Sequence, residues 1–110
     1  MAYDEVLADR LRTQLSGEPG LTEKRMFGGL AFLIGGNMAV SASGQGGLLL
    51  RVDPAETEAL VQEPHVDRFV MRGRAMDGWL RVDPAAVGTE EDLRDWVSRG
   101  VAYARSLPAK

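Results

Sequence analysis

The sequence predicts an α+β domain, a mostly antiparallel sheet of about five strands covered on one face by helices from the N- and C-terminal ends of the chain. Three observations predict it. Apolar residues recur at helical spacing near both termini, short strand-like runs fill residues 24 to 82 between glycine-rich breaks, and two of those runs end in an Asp-Pro pair that opens a helical turn. A length of 110 residues fits one domain, 1–110, with 45% hydrophobic and 26% charged residues, as in an ordinary globular protein.

The elements follow in order. Tyr3, Val6, Leu7, Leu11 and Leu15 stand at helical spacing among Asp4, Glu5, Asp9, Arg10 and Arg12, which predicts an amphipathic helix of about four turns. Ser16-Gly17-Glu18-Pro19-Gly20 ends it and a loop follows. Leu30 to Ile34, Met38 to Ser43 and Leu48 to Val52 read as strands of a meander, joined by turns at Gly35-Gly36-Asn37 and Gly44-Gln45-Gly46-Gly47. The first strand is expected to begin near Met26, with Gly28-Gly29 as a bulge or a point of close packing against the backbone.

The run Leu50-Arg51-Val52-Asp53-Pro54-Ala55 returns as Leu80-Arg81-Val82-Asp83-Pro84-Ala85. Each copy reads as a strand that exits into a helical turn, Asp capping it and Pro filling its first position. After the first copy Glu56 completes a capping box and the helix runs to about Glu63, where Pro64 stops it; after the second, Gly88 cuts the turn short. Asp67 to Gly73 and Trp79 to Val82 read as two further strands around a hairpin at 74–78. Last, Thr89 caps a helix whose stripe is Leu93, Trp96, Val97, Val101, Ala104 and Leu107, with Asp92 at the capping-box position.

The chain offers little for catalysis. It has no cysteine and a single histidine, His65, which removes thiol chemistry, disulfides and any conventional zinc site. Gly44-Gln45-Gly46-Gly47 lacks the pattern of a phosphate loop and leads into a strand, so it reads as a turn. His65 has no visible nucleophile to serve, and Glu90, Glu91 and Asp92 fit the first turn of a helix, where negative charge is favoured. No catalytic residue, cofactor or metal is expected, and the protein is not expected to be an enzyme. Acids where a leader would carry positive charge, and the lack of a long apolar run, predict a cytoplasmic protein without membrane contact.

The surface is more informative. Net charge is −3, distributed as −3 over residues 1–23, +1 over 24–82 and −1 over 83–110. Strand alternation projects Arg68, Arg72 and Arg74 to one side, opposite Phe69 and Met71, and sets Arg51 and Arg81 opposite their Leu and Val neighbours. Trp79 shares the face of Arg81, whereas Trp96 falls in the helical stripe and is expected in the core. If those strands are adjacent, the five arginines share the open face of the sheet and offer a seat for phosphate, a nucleic-acid backbone or an acidic partner. The alternative is a solvated face neutralised by nearby acids.

Residues Arg25-Met26-Phe27-Gly28-Gly29-Leu30-Ala31-Phe32-Leu33, Gly36-Asn37-Met38, Pro64-His65-Val66, Gly73-Arg74 and the ending Trp96-Val97 through Tyr103-Ala104-Arg105-Ser106-Leu107-Pro108 make the chain resemble the N-terminal domain of the TfoX/Sxy family. The resemblance runs nearly end to end. It implies a fold similar to secretion-chaperone-like proteins, which often pair as dimers, and no established catalytic residues. Named family members regulate natural competence together with a cyclic-AMP-responsive transcription activator and carry an additional C-terminal domain; these 110 residues match the N-terminal domain alone. The expected function is a non-enzymatic regulatory or interaction module with a protein partner or its own copy, and the alternative is an anion- or nucleic-acid-binding module.

Overall fold

Residues 3–26 and 28–109 are described by the computed structural model. The first helix, α1 (Glu5–Leu15), begins where the Asp4 carboxylate accepts from the amides of Val6 and Leu7 at 2.9 and 3.2 Å. That oxygen satisfies donors which a helix start leaves open. Leu7, Leu11 and Leu15 are buried, but Val6 is 71% exposed. One residue along a helix is a rotation of about 100°, which carries Val6 off the stripe of Leu7.

Six strands, rather than about five, form one antiparallel sheet: β1 (Leu21–Met26), β2 (Gly29–Ile34), β3 (Asn37–Ala42), β4 (Leu48–Arg51), β5 (Val66–Met71) and β6 (Arg74–Val82). Their order across the sheet is β1-β2-β3-β4-β6-β5. The additional strand is β1, in a segment expected as loop. As an edge strand it leaves Thr22 to Arg25 exposed, so it carries no apolar alternation to read. Met26 pairs with Gly29, which makes Gly28 part of a tight turn and not of a bulge. Close packing does hold at Gly29, where an added Cβ would meet the Ala42 carbonyl oxygen.

Both Asp-Pro pairs act as expected. Asp53 and Asp83 accept from the amides of Ala55 and Ala85 at 2.9 and 3.0 Å and open 3-10 turns at Pro54–Glu56 and Pro84–Val87. The helix after the first turn is only α2 (Thr57–Leu60), and Glu56 makes no capping bond. The Glu56 amide is already bound to the Asp53 carbonyl at 2.8 Å, a 3-10 closure that displaces the capping box.

The β5–β6 hairpin turns at Arg72-Gly73, not at 74–78. Met71 pairs with Arg74, and the two turn residues both take positive φ, 53° and 78°. This is the two-residue geometry whose twist matches the strands it joins. Further down, three residues of β6 (Asp77, Gly78 and Trp79) stand opposite the single step from Arg68 to Phe69, a pronounced bulge. The bulge is anchored from outside the pair. The Gly78 amide donates to Thr57 Oγ1 at 2.7 Å, its carbonyl accepts from the Val52 amide at 2.9 Å, and Gly78 supplies φ +85°.

The final helix, α3 (Glu90–Ser106), starts at Thr89, whose hydroxyl accepts from the Asp92 amide at 3.1 Å. Leu93, Val97, Gly100 and Ala104 form its buried face. Together with α1 it covers one side of the sheet, where Phe32, Val40, Leu48, Leu50, Leu80 and Val82 are buried in the main core. Trp96 packs partly buried against that core, as its spacing predicted. Arg10 bonds Glu90 at 2.6 Å, Gln14 donates to the Glu90 carbonyl at 2.9 Å, and Arg105 pairs with Glu18, locking α1 and its exit to α3. Among the described residues no helix is long and apolar enough to cross a membrane.

Candidate interaction surface

The face of the sheet turned away from the helices is not simply polar. Ala31, Met38 and Leu49 alternate with core residues of their own strands, yet all three are buried, in a second cluster ringed by half-buried Met26, Leu33, Phe69 and Trp79. One row of this face runs across the sheet through Asp67, Arg81, Leu49, Ser41, Ala31 and Lys24. Thus a small apolar centre lies between a charged edge at β1 and two arginines at β4 and β6. The unbroken runs Leu30 to Ile34 and Leu48 to Leu50 signalled burial on both faces, because a strand solvated on one side would have alternated.

Arg51 and Arg81 lie on this face, as alternation predicted, and Trp79 lies with them. Arg51 is opposite Trp79 in the β4–β6 ladder, and its guanidinium carbon sits 5.0 Å from the centre of the Trp79 ring. It is also 5.5 Å from the centre of the Tyr103 ring, which α3 supplies. Sequence spacing gave no hint of Tyr103 here, since the contact joins residues on different layers. Arg81 donates from Nη2 to the Gln45 carbonyl at 3.0 Å, while its buried Nε has no partner among the described residues.

The other three arginines do not gather beside them. Arg68 pairs with Leu80, whose side chain belongs to the helix-covered core, so it projects to that side at the rim of the sheet. There it bonds Glu58 of α2 at 2.6 Å and Asp77 at 2.9 Å. Glu58 first, and then Asp77, holds its proton more firmly than in a free guanidinium. Phe69, expected beneath the helices, lies instead on the helix-free face. Alternation along β5 is regular, since Val66 and Arg68 share the core side and Phe69 the other; the phase is set by Val66, which is buried in the main core, whereas the apolar character of Phe69 and Met71 reflects the second cluster on the helix-free face. Arg72 and Arg74 stand exposed at the hairpin tip, without an ion pair among the described residues. Of the five arginines expected on one face, Arg51 and Arg81 stand together, Arg74 shares that face at the far hairpin tip, and Arg68 and the turn residue Arg72 leave it.

Of the motif residues, Arg25 is exposed on β1 opposite Leu30, Met26 flanks the second apolar cluster, Gly28 and Gly29 form the turn and its exit, and Phe27 lies outside the described residues. His65 is exposed, takes φ +68° and accepts from the Asp83 amide through its backbone. Among the described residues no three of His, Asp and Glu converge as a metal site. Open clefts flank the surface. One of about 420 Å³ lies between the Pro54–Glu56 turn and α3, bordered by Asp53, Glu56, Arg99 and Tyr103.

The family profile of the TfoX N-terminal domain matches residues 13–104, most of the chain. No curated protein and no solved structure matches it.

Proposed function

Starting from the fact that the chain belongs to the TfoX N-terminal domain family, we propose that it is a non-enzymatic module which binds a protein partner, or its own copy, through the helix-free face of the sheet. The observation that carries this reading is the second cluster, in which half-buried Trp79, Phe69, Leu33 and Met26 border buried apolar residues beside a guanidinium stacked on aromatic rings. Aromatic and arginine side chains around an apolar centre have the composition of an interface core. Neither the ion-paired helical face nor the β1 edge, with Glu23, Lys24 and Arg25 exposed, offers that composition. The family resemblance extends the proposal to transcriptional control of competence in the cytoplasm, where such a module contributes contact and no chemistry.

The polyanion reading has one observation behind it, the exposed pair Arg72 and Arg74 at the hairpin tip. It loses its continuous track once Arg68 is neutralised by Glu58 and Asp77. Cross-linking separates the two readings. A photoreactive side chain at Leu33 should give a defined protein adduct, to a copy or a partner, that light scattering sizes; the same probe at Arg94 on α3 should give none. Equal labelling from both positions, or none from Leu33, would defeat the proposal.

A further inference from the structure

We propose that Arg51 is the seat for a single carboxylate side chain of the partner protein, an inference that rests on the interaction reading above. Arg10, Arg12, Arg68 and Arg105 each hold a carboxylate of this chain. Arg51 is half-buried and, among the described residues, holds none. Asp53, two residues along the chain from Arg51, caps the Ala55 amide, and Asp77, two residues before Trp79, binds Arg68. The fold therefore consumes local negative charge without giving any to Arg51.

The guanidinium is also pre-positioned. Rings from two different elements, Trp79 of β6 and Tyr103 of α3, contact its carbon at 5.0 and 5.5 Å. Rings at these distances hold the guanidinium in place, and among the described residues no hydrogen bond takes up its N–H donors, the fork that matches a planar carboxylate. Trp79 reaches this place because the β6 bulge is pinned by Thr57 and Val52, so the chain interrupts its ladder at the step where the stack forms. Because the side chains are held beforehand, less conformational entropy is lost on binding.

A carboxylate suits this site better than a polyanion. A nucleic-acid backbone needs a line of cations, whereas Arg81 is tied to the Gln45 carbonyl and Asp53 and Glu56 border the cleft beside Tyr103. Those acids repel spread negative charge and tolerate one acid among neutral neighbours.

The test uses the full chain with Trp96→Phe, which leaves Trp79 as the only indole. The probes are a blocked tripeptide with one central glutamate, its glutamine counterpart, and inorganic phosphate. The glutamate peptide should shift Trp79 emission and the Arg51 Nε–H resonance saturably, and its affinity should fall at least about tenfold for the glutamine peptide and for phosphate. Arg51→Gln should abolish the saturable shift and Arg51→Lys should weaken it, because a point charge lacks the fork. Equal binding of the two peptides, tighter binding of phosphate, or no saturable shift while Arg51 is present would overturn the assignment. An adduct from Leu33 that persists in Arg51→Gln would leave the interaction reading standing and remove only the carboxylate seat.

Discussion

Replacing Gly100 with alanine should destabilise the protein, although alanine is the better helix former. Gly100 lies within α3 where the helix crosses the sheet, and a Cβ built on it would stand 2.4 Å from the Ala39 carbonyl oxygen and 2.9 Å from Leu50 Cδ1. The leucine methyl ends a rotatable side chain; the carbonyl is backbone, at an irregular step in the β2–β3 ladder, and cannot swing aside. To reach an ordinary contact distance α3 must lift by about 1 Å, and a gap of that size forfeits a quarter to a half of each dispersion contact along Leu93, Val97 and Ala104. Helix propensity returns about 1 kcal/mol. Overpacking of this kind costs about 1–3 kcal/mol and more where backbone is struck, so a net loss of about 1–2 kcal/mol is expected. For a domain of this size that lowers the thermal midpoint by about 5–15 °C. Calorimetry of Gly100→Ala reads it directly. A midpoint that stays level or rises would show that α3 and β3 are not in backbone contact and would remove the stated reason for a glycine here.

Other substitutions probe separate elements. Thr57→Val leaves the buried Gly78 amide without its acceptor and should cost about 1–3 kcal/mol in denaturant unfolding, with a change in Trp79 emission as the bulge loosens; unaltered stability would mean that the bulge holds itself. Arg72→Asn should raise stability by about 0.5–1 kcal/mol, because asparagine tolerates the left-handed backbone of the first turn position far better than a long side chain does. Thermal unfolding that shows a loss would indicate a contact from Arg72 that matters more than its backbone. Glu90 is held below the ordinary carboxylate range, chiefly by its bond from Arg10 and then by Gln14. A depressed folded-state value means that its contribution is complete above the ordinary glutamate range and is lost as pH falls through the folded value. The stability gap between the wild type and Glu90→Gln should therefore be present at neutral pH and close in acid, and a gap independent of pH would contradict the ion pair.

What the sequence revealed and what it hid follow from burial. Leu7, Leu11 and Leu15, and Leu93, Val97 and Ala104, announce α1 and α3 because a helix buried on one side must repeat its apolar residues with its own period. Asp53 and Asp83 were legible because capping is a local affair of two or three residues. β1 was not legible, since an exposed edge strand has nothing to alternate. Arg51, Arg81 and Trp79 were sorted correctly because the neighbours of the two arginines, Leu50 and Val52, Leu80 and Val82, all belong to the main core, whereas Arg68 and Phe69 were inverted because both faces of the sheet bury apolar residues and Phe69 belongs to the second cluster. Gly100 and Tyr103 matter through tertiary contacts with Ala39 and Arg51, and no periodicity encodes those.

The bond from Arg10 to Glu90 joins residues 80 positions apart, and that from Glu18 to Arg105 spans 87. During synthesis the β1–β4 meander emerges well before α3, so the roof over Phe32 and Leu50 is completed only once α3 has left the ribosome. Until then the nascent chain carries a partly covered, incomplete sheet, and closure waits for long-range contacts that form slowly. Pauses in translation before Leu93 should lengthen the interval in which that greasy floor is accessible to chaperones.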